Sequence, residues 1–169
     1  MGLVRITMTE STTLTFGMQI QPRSRMVSIV RRFVETVFEK IVGDSDAVFR
    51  VSLAVHELLE NAAKYAVGDK TDLTIHFESN GAGTNIKLTN QTTPERLARL
   101  RAFVSEIQSS DDPLALYQSM MRRTLGLQEE SGLGLVRIRA EGELDLSLEI
   151  EGTLVTVVAS CLPTRRPAA

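Results

Sequence analysis

Two helical patterns stand back to back in this chain, parted by little more than a glycine and an aspartate, and they constrain the fold more than any other feature. From Ser24 to Val42 the apolar residues Met26, Ile29, Val30, Phe33, Val34, Val37, Phe38 and Ile41 recur at intervals of three and four, the spacing of one helix face. Gly43 stops that helix. Asp44 or Ser45 can then cap a second one, from about Asp46 to Val67, with Gly68 where a left-handed turn would close it.

The strands come before and after this pair. Thr12 to Ile20 is rich in β-formers and ends at Gln21-Pro22, because proline cannot continue a paired strand; it reads as an edge strand. Leu73, Ile75 and Phe77 alternate with polar residues, the turn-rich run Ser79-Asn80-Gly81-Ala82-Gly83 follows, and Ile86 and Leu88 resume the alternation, which is a β-hairpin. Leu97, Leu100, Phe103, Val104 and Ile107 mark a short helix, and Asp112-Pro113 starts another in the favoured order of N-cap then proline. A helix over Gly132–Gly142 and a hairpin of Leu144–Ile150 with Leu154–Ala159 complete the chain, and residues 163–169 read as a flexible tail. The order implies an α+β fold of two layers, a mixed sheet with its helices on one face.

Length and composition set the outer bounds. A chain of 169 residues with 43% hydrophobic and 24% charged residues builds one core, taken as a single domain over residues 1–162. Lys and Arg number 19 against 21 Asp and Glu, a net charge of −2, which gives no basic field for a phosphate backbone and argues against a nucleic-acid partner. Cys161 is the single cysteine, so no internal disulfide or cysteine zinc site can form. No leader-like start and no apolar run near the ~20 residues of a membrane span is seen, so the expectation is a cytoplasmic protein with no membrane partner.

The most informative stretch lies on the second helix, His56-Glu57-Leu58-Leu59-Glu60-Asn61-Ala62-Ala63-Lys64-Tyr65. At ~100° per residue Asn61 lies ~40° from Glu57 and Lys64 ~20° to its other side, so three polar groups share a stripe, with Leu53 one turn earlier as a pocket wall might be. Spacing alone fits the solvent face of an amphipathic helix. As chemistry the stripe suits phosphate and magnesium: an amide oxygen such as that of Asn61 is a hard ligand for Mg2+, a carboxylate such as Glu57 can take a proton from an attacking hydroxyl, and an ammonium such as Lys64 neutralises phosphate oxygens. Gly132-Leu133-Gly134-Leu135 opens a helix, where glycines let backbone N–H groups approach an anion or simply make a turn. Arg122 and Arg123 read as solvated charges.

With both pieces in this order, the sequence resembles the GHKL superfamily of ATP-binding domains, the Bergerat fold. Glu57-xxx-Asn61-xx-Lys64-Tyr65 is similar to the family's N-box and Gly132-Leu133-Gly134-Leu135 to its glycine box, with residues 12–160 covered. The resemblance implies ATP and Mg2+ as cofactors, Glu57 as the catalytic carboxylate, Asn61 as the magnesium ligand, Lys64 as a phosphate contact, and Gly132, Leu133, Gly134 and Leu135 as the segment that closes a lid, about residues 91–131, over the phosphates. The family's Asp-x-Gly-x-Gly adenine box is replaced by Asn90-Gln91-Thr92-Thr93-Pro94, where the Asn90 side-chain oxygen can still accept from an amine.

Among members, a lone domain without a phosphorylated-histidine hairpin or a following transducer domain resembles the anti-sigma-factor serine/threonine kinases of bacterial partner-switching systems. That implies transfer of the ATP γ-phosphate to a Ser or Thr of a STAS-domain antagonist, with a sigma-factor-like target as the other partner and room for a homodimer. The altered adenine box keeps a second reading open, a catalytically inactive module of the same fold that regulates a signalling partner by holding it.

Overall fold

The computed structural model describes residues 4–8, 13–78, 83–124 and 132–161. In chain order these form β1 (Val4–Met8), β2 (Thr13–Ile20), α1 (Ser24–Ile41), α2 (Ser45–Tyr65), β3 (Val67–Glu78), β4 (Gly83–Gln91), α3 (Pro94–Ser109), α4 (Pro113–Thr124), α5 (Leu133–Ala140), β5 (Asp145–Glu151) and β6 (Leu154–Cys161). Residues 125–131, which include Ser131, and the expected tail at 163–169 lie outside the described residues.

The strands make one six-stranded sheet in the order β1-β2-β3-β4-β6-β5. All five pairings are antiparallel, which corrects the expectation of a mixed sheet within the two-layer α+β architecture. The cause is the helix pair: two successive helices return the chain to the end it left, so β3 runs against β2, whereas a parallel neighbour needs a single crossover. The edge strand is also reassigned. β2 is interior, covered on its outer side by β1, whose five residues pair with Leu14–Met18.

Beside the row of Leu14, Phe77, Thr84 and Cys161 at one end, three rows of side chains cross the helix-bearing face of the sheet. Phe16, Ile75, Ile86, Ala159 and Leu146 are in register in the first, and Met18, Leu73, Leu88, Val157 and Leu148 in the second. The third row, Ile20, Thr71, Asn90, Val155 and Ile150, is interrupted by two polar residues at its centre, and a cavity opens at Asn90 and Val155.

Val27, Val30, Val34 and Phe38 of α1 pack into this core, Phe38 edge-on to Phe77 at 5.8 Å between ring centroids. On α2 the carboxylate of Asp44 accepts from the backbone N–H of Asp46 and Ala47, so Asp44 is the cap of the two candidates. Leu58 and Leu59 of this helix are both fully buried, worth about 1.5–3 kcal/mol each relative to exposure. The helix stops at Tyr65, two residues earlier than its pattern suggests; Ala66 turns extended and Gly68, at φ 90°, falls in β3, where the pairing with β4 shifts register between Val67 and Thr71. Thr93 caps α3 through the Arg96 N–H, with Pro94 in its first turn.

Candidate functional site

A cavity of about 680 Å³ lies between α2, α3, the start of α5 and the third row of the sheet, a size ordinary for small-molecule sites. Helix α2 contributes Leu58, Asn61, Ala62 and Tyr65, positions three and four apart that share one face. Helix α3 contributes Arg96, Arg99, Leu100 and Phe103 by the same periodicity. Leu88, Asn90, Val155 and Val157 form the floor, Thr92 one rim, and Gly132 and Leu135 the far end. Gly132 carries φ 52° and caps α5; a side chain there would collide with the ring of Phe103, so a glycine suits the position twice over.

The polar groups of the cavity are few and unevenly satisfied. The Nδ2 of Asn61 is buried with no hydrogen-bond partner among the described residues, and so is the hydroxyl of Thr71, in register with Asn90. Asn90, 8% exposed, donates its own Nδ2 to the Gln91 carbonyl at 3.0 Å, which leaves Oδ1 as the atom of its amide that can accept. The Thr92 N–H donates to the Thr153 carbonyl at 2.9 Å and ties the end of β4 to the β5–β6 turn. Arg96 donates to the Tyr65 carbonyl at 2.9 Å and lies over the Tyr65 ring, 5.8 Å from its centroid, so it also caps the C-terminus of α2. Among the described residues the lining thus holds two guanidiniums, two amides, hydroxyls and a broad apolar wall, and no carboxylate.

Glu57 stands behind this wall rather than in it. Its side chain is 13% exposed; Oε1 accepts from Arg137 Nη1 at 3.0 Å, while Oε2 packs against the bare Cα of Gly134. Arg137 Nε donates to Glu141 at 2.8 Å. Burial of Arg137 disfavours its charge, but Glu141 and then Glu57 outweigh this and raise its pKa. The Tyr117 phenol of α4 is raised too, first by burial and then by the charge of Glu141, with Arg137 opposing and Glu57 adding. Helices α2, α5 and α4 therefore meet at a four-residue polar cluster.

Of the residues expected from the sequence, Asn61, Asn90, Gly132 and Leu135 come together on the cavity. Glu57 and Gly134 touch each other just outside it. Lys64 pairs with Glu60 at 3.2 Å, its side chain 57% exposed, and neither it nor Leu133 lines the cavity. Leu53 is buried without lining it. Arg122 and Arg123 are exposed in the last turn of α4. Sequence reasoning missed Tyr65, Arg96, Arg99, Phe103 and Arg137. The signal was a second stripe on α2 at Leu58, Asn61, Ala62 and Tyr65, matched by the Arg96, Arg99, Leu100 and Phe103 spacing on α3. Among the described residues no cluster of three or more His, Cys, Asp or Glu side chains could hold a metal, and no helix is long and apolar enough to cross a membrane.

No family model and no curated protein matches the chain. Among solved structures, the fold is similar to a chain in the crystal structure of the SiaB-SiaC complex from Pseudomonas aeruginosa, with a TM-score of 0.63 and 17% identity over 93% of this chain and 90% of that chain. At that identity the likeness is one of fold: this chain shares its two-layer architecture nearly end to end with a component of a two-protein complex.

Proposed function

We propose that the chain is an ATP-binding regulator of the partner-switching kind, which passes the ATP γ-phosphate to a Ser or Thr of a STAS-domain partner. One observation carries the reading: a cavity with an apolar wall for a base and two guanidiniums for an anion, lined by no carboxylate among the described residues, includes Asn61, whose Nδ2 is buried without a partner among them. Its volume and its mix of flat apolar and cationic surfaces suit a nucleotide. The neighbour's occurrence in a complex with a second protein supports a protein partner.

Asn90 Oδ1 could accept from the exocyclic amine of the base, and Arg96 and Arg99 would offset the negative charge of the phosphates. Asn61 lines the cavity and would offer Mg2+ one hard amide oxygen, which suits an ion that keeps waters and phosphates as its other ligands. Bound there, the ion supplies neutralisation of phosphate charge. Leu58, Leu88 and Val157 would exclude water from the base, and Glu57, once freed from Arg137, would take the proton of the attacking hydroxyl.

A second reading is favoured by the position of Glu57. With Oε1 on Arg137 and Oε2 against Gly134, the carboxylate is turned to α5, which suits a module that binds nucleotide or partner without transferring phosphate. Incubation with γ-labelled Mg-ATP and a STAS-domain protein separates the two. Label on a Ser or Thr of that protein is the expected result; saturable ATP binding with no transfer to any STAS domain supports the binding module.

A further inference from the structure

The cluster behind the cavity has an asymmetry that bears on how such a site is controlled. Arg137 bonds two carboxylates, one on its own helix and one on another. The bond to Glu141 is an i,i+4 pair within α5 and travels with that helix as a rigid piece; the bond to Glu57 crosses from α5 to α2. Any displacement of α5 therefore breaks the Glu57 bond first and leaves the guanidinium still compensated by Glu141. The same displacement lifts the Gly134 Cα from Oε2, so both oxygens of Glu57 lose their α5 contact together. Helix α4 packs directly on α5 and so belongs to the same unit.

We propose that Arg137 is a positioning residue for Glu57: it latches the carboxylate to α5, turned from the cavity, and releases it only when the α4–α5 unit moves. The proposal rests on the reading of Glu57 as the proton acceptor, and it adds how that group is kept idle. Because Glu57, Arg137 and Gly134 all lie off the cavity wall, the latch governs movement of α5 without touching a ligand held by Asn61 and Arg99. A paired carboxylate at 13% exposure is costly to strip of its partner, so the latch contributes to holding the lid shut in the empty protein.

The test is amide exchange in the ligand-free chain, combined with stopped-flow association of Mg-ATP. Arg137→Gln should speed exchange in Pro113–Thr124 and Leu133–Ala140 by about tenfold while β3, β4 and β6 keep their protection. Arg137→Lys keeps one positive charge but cannot bond both carboxylates, so it should fold like the parent and fall between the two in exchange. Mg-ATP should associate faster with Arg137→Gln than with the parent, a gain that loss of structure alone would not produce. Unchanged exchange in both helices in the Lys and Gln variants overturns the latch, as does slower association in a variant that retains its fold. If exchange rises but ATP binds neither parent nor variant, the latch stands and the nucleotide reading fails.

Discussion

The carboxylate of Glu57 packs against the bare Cα of Gly134, so that a β-carbon at residue 134 would overlap Oε2. A glycine in the first turn of α5 normally costs about 1 kcal/mol relative to alanine, and here it is kept because it admits another helix's side chain. The contact joins the two sequence motifs that were expected to act through a phosphate.

Gly134→Ala gains helix propensity and loses that fit. Overpacking of about 1–3 kcal/mol outweighs the propensity gain of up to about 1 kcal/mol, so the melting temperature should fall by about 2–4 °C. In a Glu57→Ala background the overlap is gone, and the same substitution should raise it. Calorimetry on the four proteins of this cycle checks the reversal of sign.

Asn61→Ala removes a buried amide whose Nδ2 has no partner, so the fold should lose little. Mg-ATP affinity should fall by at least about tenfold, the worth of one charge-assisted contact. Equal affinity of variant and parent by titration calorimetry would exclude Asn61 from the site.

Arg99→Gln keeps a polar side chain and removes a cation from the cavity wall. The loss should fall on the phosphates: ATP affinity drops by about tenfold or more while adenosine affinity barely changes. A matching loss for both ligands would show that Arg99 acts through packing.

Tyr117 gives a dependence on pH. Its phenol is raised above the ordinary value near 10 in the folded chain, by burial first and then by Glu141, so the folded state holds this proton longer than the unfolded state. Its contribution is fully present below about pH 10 and is lost as pH rises through the folded pKa. Denaturant titrations between neutral and strongly alkaline pH should show a loss of stability that is smaller in Tyr117→Phe. All other groups are common to both proteins, so the difference between the two curves isolates the phenol.

Much of the architecture was legible because its signals were periodic. Helix α1 starts at Ser24 as its apolar spacing requires, and β3 and β4 follow the alternation of Leu73, Ile75, Phe77, Ile86 and Leu88. Strand β1 was missed because five residues, Val4 to Met8, are too few for alternation to stand out, and the neighbour that makes β2 interior was missed with it. Helix α2 ended early because the register of β3 claims Val67, a tertiary demand that local sequence does not show.

The site was half legible for a geometrical reason. The cavity faces Leu58, Asn61, Ala62 and Tyr65, a stripe centred ~90° around α2 from Glu57, so Asn61 falls on its border while Glu57 and Lys64 fall outside. Helical periodicity placed the polar residues on a common stripe correctly, but which way that stripe points depends on α3 and α5. Gly134 carried no distinguishing signal, since a glycine that admits a carboxylate and one that admits a phosphate look alike in sequence.

The most direct test of the nucleotide reading is titration of Mg-ATP into the parent chain by isothermal calorimetry, repeated with the metal chelated. The account predicts saturable one-to-one binding that weakens markedly without Mg2+ and is displaced by ADP. Absence of any saturable heat up to about 1 mM ATP, an affinity weaker than about −4.1 kcal/mol, would contradict it.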